Sequence, residues 1–120
     1  MTMERQALGK RGEDLAVAEL ERRGYAILTR RYRTRHGEID LVAQDGTTIV
    51  FVEVKVRLTG EFGHAAEAVS PQKQRRLVSM AGDYLARHRL WDRPCRFDVV
   101  AMDGEGAGPQ VTLYRDAFGQ

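Results

Sequence analysis

Hydrophobic and polar positions follow two different periods along the chain. In residues 4–23 and 71–88, apolar side chains recur every three or four positions, which is typical of amphipathic helices. Elsewhere, short apolar runs rich in β-branched residues indicate strands. The predicted strands are 25–33, 37–43, 48–56, 95–102 and an edge strand at 110–115. The core order α-β-β-β-α-β predicts an α/β fold in which helices flank a mixed central sheet.

Local signals set the ends of these elements. Gly24 ends the first helix, and Asp45-Gly46 favours a tight hairpin. Ser70-Pro71 supplies an N-cap and a first helical residue for the second helix. Loops are expected at 57–69 and 103–108. Because 120 residues suffice for one hydrophobic core, we expect a single domain over 1–120, with 103–120 as a peripheral C-terminal segment.

The strand "TIVFVEVKV" contains two charged residues that do not suit a buried strand. Glu53 and Lys55 share one face of it, and a hairpin would bring Asp40 of the preceding strand alongside. Two close carboxylates repel unless a cation lies between them, and hard oxygen ligands suit Mg²⁺ or Mn²⁺. Lys55 could then orient or deprotonate an attacking water. The alternative is a buried salt-bridge network of the same three residues without chemistry.

Charge is distributed in blocks that the net value of +2 conceals. Residues 1–36 carry a net +4 and residues 71–96 a net +5, whereas residues 37–70 carry −4. Basic segments suggest a polyanionic partner, and the acidic segment between them suggests a cation site.

Two groups of cations are candidates for binding nucleic acid. Around Tyr32 lie four arginines: Arg30, Arg31, Arg33 and Arg35. They resemble a phosphate-binding stripe, or they protect an exposed edge strand by charge. Lys73, Arg75 and Arg76 lie in the first turns of the second helix, where a docked anion would favour them, although ordinary exposed cations explain them nearly as well; Lys73 and Arg76 are the preferred candidates.

Several classes of protein are disfavoured. The chain contains neither a membrane-length apolar run nor a signal-peptide pattern, so we expect a cytoplasmic protein without a membrane partner. Cys95 is the single cysteine and cannot form an internal disulfide.

The charged strand also carries a family resemblance. Asp40 followed by Glu53-Val54-Lys55 resembles the D…(D/E)xK signature of the PD-(D/E)xK nuclease superfamily. More closely, "GEIDLVAQDGTTIVFVEVKVR" and "RFDVVAM" resemble the YraN-like family of small bacterial proteins, which is regarded as similar to Holliday-junction resolvases. The resemblance runs from about Gly9 to Met102 and implies a restriction-endonuclease-like core.

Residue roles follow from this resemblance. It implies that Asp40 and Glu53 hold Mg²⁺ or Mn²⁺, that Glu13 completes the site, and that Lys55 is the catalytic lysine. The implied activity is endonucleolytic hydrolysis of branched or damaged DNA by a homodimer. The alternative is a non-catalytic nucleic-acid-binding adaptor with a degenerate nuclease fold. One departure is Arg31, at a position where the family commonly has Asn before the aromatic residue.

Overall fold

The computed structural model describes residues 3–57, 69–103 and 110–118. The described helices are α1 (Met3–Arg22) and α2 (Pro71–Arg87), and the strands are β1 (Ala26–Thr34), β2 (Gly37–Asp45), β3 (Thr48–Arg57), β4 (Cys95–Asp103) and β5 (Gln110–Phe118). This confirms the predicted order of elements, including the edge strand. The loops predicted at 57–69 and 103–108 fall mostly on residues outside the described ranges.

The five strands form one mixed sheet in the order β1-β2-β3-β4-β5. β3 and β4 are parallel, and the other neighbours are antiparallel. The parallel pair is possible because α2 lies between β3 and β4 in the chain and forms the crossover. At the predicted hairpin, Asp45 pairs with Thr48, and Gly46 takes the positive φ of 62° that such a turn requires.

Each face of the sheet is covered by one helix. On one face, Ala16 and Leu20 of α1 pack with the alternate strand residues Val50 and Val52. On the other, α2 packs against Phe51 and its neighbours through the buried residues Leu77, Met80, Ala81 and Tyr84. β3 is therefore buried on both sides, which explains its nearly continuous apolar run. Neither described helix is both long and apolar enough to cross a membrane.

Ser70 begins α2 as predicted. Its side chain accepts a hydrogen bond of 3.1 Å from the Lys73 backbone N–H, and Pro71 follows at the first helical position. This cap fixes where α2 starts relative to the sheet, and hence where the side chains of its first turn lie.

Arg96 and Asp98 form an ion pair within β4. The fully buried Asp98 carboxylate accepts hydrogen bonds from Arg96 Nε at 3.0 Å, the Tyr25 hydroxyl at 3.1 Å and the Asp116 backbone N–H at 2.9 Å. Because these donors come from three parts of the chain, the carboxylate ties the end of α1 and β5 to β4.

β1 is irregular at Arg31, which has a positive φ of 56°. Arg30 and Arg31 consequently both point to α1, whereas Thr29 and Tyr32 contact residues of α2. Asn tolerates this left-handed conformation better than Arg does. The departure from the family pattern at this position therefore affects the backbone as well as polar contacts.

Candidate functional site

The hairpin register brings Asp40 and Glu53 together. Paired residues of β2 and β3 run from Asp45–Thr48 to Leu41–Val52, so Asp40 and Glu53 are the residues directly beyond the last pair, and their side chains interact. There, Asp40 Oδ2 accepts a hydrogen bond of 2.8 Å from the Val54 backbone N–H. The Asp40 carboxylate thus takes the place of a backbone carbonyl as the acceptor for the Val54 N–H. This hydrogen bond holds the Asp40 side chain against β3.

A cavity of about 270 Å³ lies over these two acids, between β2, β3 and the start of α2. Its lining residues are His36, Gly37, Glu38, Asp40, Glu53, Lys73, Arg76 and Met80. The sheet supplies the acids and α2 supplies the cations, so the cavity has walls of opposite charge. Such a site can attract a cation at its base and an anion at its rim.

Lys73 provides the cation that contacts Glu53. The Lys73 Nζ and Glu53 Oε2 atoms form a close ion pair across the cavity. The Glu53 side chain is only 5% exposed, whereas that of Lys73 is 40% exposed. The carboxylate is thus fixed in the protein while the lysine can reach water. Lys73 can leave without being stranded in an apolar environment.

Asp40 has an unusual proton affinity. Burial, and then the negative charge of Glu53, raises the pKa of Asp40 from 3.8 to about 7. The Val54 N–H and the Lys73 ammonium act in the opposite direction but do not cancel the shift. The positive charge around Asp40 and Glu53 is therefore too small to keep both carboxylates fully ionised at neutral pH.

Lys55 and Glu13 lie outside the lining of this cavity. Lys55 is half-buried on the same face of β3 as Glu53, opposite Ala101 of β4, and makes no ion pair with a described residue. Glu13 is buried on α1, where its two carboxylate oxygens accept from Arg30 Nε at 2.7 Å and Arg31 Nε at 2.8 Å. A role for Glu13 as a metal ligand would require these arginines to release it.

The predicted nucleic-acid-binding residues divide into two groups. Arg30 and Arg31 are held by acids of α1, and Arg33 pairs with Glu38 at 3.3 Å. Lys73 and Arg76 line the acidic cavity, and Arg35 lines a neighbouring one. Arg35 and Arg76 make no direct ion pair with any residue in the described part of the chain, and are therefore the members of the set most available to a phosphate.

The acidic pair fits a hard divalent cation in its donor chemistry. Mg²⁺ commonly uses one or two carboxylates and completes its shell with waters and phosphate oxygens. Within the described ranges, no group of three or more His, Cys, Asp or Glu side chains is placed to hold a metal. Asp40 and Glu53 would thus form the protein's share of the site. Burial and the negative charge of Glu53 raise the pKa of Asp40, so a cation between the two carboxylates would be favoured there.

Several residues of the site were not identified from the sequence: His36, Glu38, Met80, Asp83 and Arg87. A signal for some of them exists in α2, where Lys73, Arg76, Met80, Asp83 and Arg87 recur at intervals of three and four. This spacing places them on one stripe of the helix beside its buried face. The stripe follows the edge of the cavity and continues beyond it.

Comparison with known proteins gives a consistent family assignment. The model of the uncharacterised protein family UPF0102 matches residues 12–102. A UPF0102 protein of Geobacter metallireducens is 47% identical over 98% of this chain and 97% of its own length. Another, from Ralstonia pickettii, is 49% identical over 94% of this chain and 90% of its own length. The chain therefore belongs to the UPF0102 family, as its YraN-like motifs indicated.

Proposed function

We propose that this protein is a metal-dependent endonuclease that hydrolyses phosphodiester bonds in branched or damaged DNA. The observation that carries the proposal is the meeting of Asp40 and Glu53 at the base of a cavity rimmed by Lys73 and Arg76. The element order α-β-β-β-α-β supports it, because it matches the order of a restriction-endonuclease-like core. The D…ExK motif, which Asp40 and Glu53 form together with Lys55, also supports it.

In this proposal, Asp40 and Glu53 hold Mg²⁺ or Mn²⁺ after Lys73 has left Glu53. A bound divalent ion lowers the pKa of water and stabilises negative charge on phosphorus. Arg76 and the released Lys73 bind the oxygens of the DNA phosphate, which positions it over the acids. Lys55 orients or deprotonates the attacking water, and Glu13 contributes if Arg30 and Arg31 release it.

A second candidate function is nucleic-acid binding without catalysis. The observation that favours it is the Lys73–Glu53 ion pair, which neutralises the more deeply buried acid without any metal. A protein of this kind would keep the cationic rim of the cavity and its affinity for DNA. The two functions differ in one requirement, since only the enzyme needs a divalent ion for its main effect on DNA.

The replacement Glu53→Gln separates these functions. It preserves the size and hydrogen-bonding capacity of the side chain and removes the charge that would hold a metal. We expect it to abolish nicking of branched DNA in Mn²⁺, measured on several DNA shapes. Because Lys73 can be solvated, the unfolding free energy in EDTA should change by only about 1 kcal/mol.

Glu21→Gln is the matched control, because it makes the same charge change at an exposed position on α1. The Glu21→Gln variant should nick DNA as the parent does. The enzymatic proposal is wrong if the parent does not nick any of the DNA shapes in Mn²⁺, or if Glu53→Gln nicks them equally well. DNA binding by a parent that never nicks would favour the non-catalytic function.

A further inference from the structure

A second cavity, of about 220 Å³, adjoins the acidic one. It lies between the β1–β2 turn and the middle of α2. Its polar lining residues are Thr34, Arg35, His36, Ser79, Asp83 and Arg87. His36 and Met80 line both cavities, so the two lie side by side along the stripe of α2, and together they are called the groove.

The groove has the length of a short nucleic-acid segment. Lys73 and Arg87 are fourteen residues apart on α2, which corresponds to about 21 Å along a helix axis. One strand of B-form DNA places a phosphate about every 3.4 Å of axis, so roughly six phosphates span this distance. A strand lying over Asp40 and Glu53 would therefore reach the second cavity within a few nucleotides.

The second cavity has the groups needed to bind a phosphate. Arg35 is exposed and makes no direct ion pair with a described residue. Arg87 contacts Asp83 through Nε at 3.3 Å, and this contact orients the guanidinium while its terminal NH₂ groups are separate donors. Asp83 also accepts a hydrogen bond of 2.6 Å from the Tyr32 hydroxyl. The Asp83 carboxylate is thus bound by Arg87 and Tyr32, and the Arg35 guanidinium also acts on it electrostatically.

We infer that this second cavity binds a nucleotide of single-stranded nucleic acid a few nucleotides along the strand from the phosphodiester held over Asp40 and Glu53. Arg35 and Arg87 contact its phosphate, and Ser79 and Met80 form the wall beside its sugar and base. A single unpaired nucleotide fits a cavity of this size, whereas duplex DNA would present only its backbone at the rim. That the strand runs on over Asp40 and Glu53 rests on the proposed function. Binding of a nucleotide in the second cavity does not.

Binding without cleavage tests the inference. We would measure the affinity of the parent for a short single-stranded oligonucleotide by fluorescence anisotropy in EDTA, over a range of salt concentrations. Arg35→Gln and Arg87→Gln should each weaken binding and reduce the slope of log affinity against log salt by about 0.7. Arg75→Gln is the control, because Arg75 is exposed on the same helix and lines neither cavity.

Ser79→Trp provides a test that does not depend on charge. Ser79 is exposed on α2, so a large side chain can be placed there without disturbing the core. It should fill the cavity and weaken single-strand binding at least as much as the arginine variants, while circular dichroism shows the parent's helix content. The inference is overturned if all three arginine variants bind alike, or if Ser79→Trp binds as the parent does.

The outcome is separable from that of the proposed function. If the parent never nicks DNA but Arg35→Gln and Arg87→Gln selectively lose binding, the enzymatic proposal fails and the nucleotide site stands. If the parent nicks DNA in Mn²⁺ and the three arginine variants bind equally, the nucleotide site fails alone.

Discussion

The carboxylate groups of Asp98 and Asp40 have opposite surroundings. Asp98 is fully buried, and Arg96, Tyr25 and a backbone N–H all donate to it. Asp40 receives one backbone N–H and otherwise faces a second carboxylate. An acid with three donors is compensated within the fold, whereas two acids that share the single Lys73 ammonium would gain from a further positive charge. This difference is the physical reason for placing the function at Asp40 and Glu53.

The raised pKa of Asp40 predicts a pH-dependent stability. The ordinary value is 3.8 and the folded value is about 7, so between these pH values the folded protein retains a proton that the unfolded chain has released. This contribution to the unfolding free energy is complete below about pH 4 and is lost as the pH rises through about 7. Asp40→Asn removes it. Relative to the variant, the parent should lose up to roughly 4 kcal/mol between about pH 4 and about pH 8.

Urea denaturation of both proteins in EDTA, at several pH values, measures this difference. Asp92→Asn, at an exposed loop position, is the control and should follow the parent across the range. A difference between the parent and Asp40→Asn that does not vary with pH would contradict the proposed environment of Asp40.

The sequence predicted some residues and contacts of the candidate site and not others. Asp40 and Glu53 were predictable because strand alternation and one hairpin determine which side chains meet. The Lys73–Glu53 contact was not, since it joins two elements across the chain and depends on how α2 docks. The sequence analysis predicted an external anion as the partner of Lys73, whereas the structure pairs Lys73 with Glu53 of the same chain.

Among the elements, α2 has two distinct functions on adjoining faces. Leu77, Met80, Ala81 and Tyr84 bury one face against the sheet, and the neighbouring stripe lines both cavities. The helices and strands themselves were predictable, because their apolar periods, caps and turn residues are local signals. The positive φ of Arg31 was not, because nothing in a run of arginines indicates that the strand alternation is interrupted there.

Two glycines in the helices offer a matched test of how α1 docks. An added Cβ at Gly12 would lie 2.8 Å from Val56 Cγ2, whereas at Gly82 of α2 it would meet no atom within 4 Å. Alanine favours a helix over glycine by up to about 1 kcal/mol. Gly82→Ala should therefore stabilise the protein by about that amount. Gly12→Ala should destabilise it by about 1–2 kcal/mol, because a packed β-branched side chain must move.

Thermal and urea denaturation of the two variants measure these effects. A double-mutant cycle with Val56→Ala should show that the cost of Gly12→Ala falls when the clashing methyl group is absent. Equal stabilisation by both glycine replacements would mean that α1 does not approach β3 this closely.

For the molecule as a whole, the sheet separates the charged groups by face. Glu13 and Asp14 on α1 hold Arg30 and Arg31, while the cations that line the two cavities lie on α2 and, for Arg35, in the β1–β2 turn. The block pattern of charge in the sequence predicted a cation site in the acidic segment; the cavity brings acids of that segment together with Lys73 and Arg76 of the second basic segment, and cation binding there stays a prediction. The pattern could not show that acids of α1 neutralise part of the first basic region, since that depends on the tertiary fold.

We propose that Asp40 and Glu53 form a divalent-cation site, and that the Lys73 ammonium takes the place of the metal when none is bound. A crystal of the parent soaked in Mn²⁺ and measured at an anomalous wavelength tests it most directly. We expect one anomalous peak within coordination distance of both carboxylates, about 2.0–2.2 Å from their oxygens, with the Lys73 ammonium displaced from Glu53. A peak elsewhere, or no peak with Lys73 still bound to Glu53, would contradict the claim.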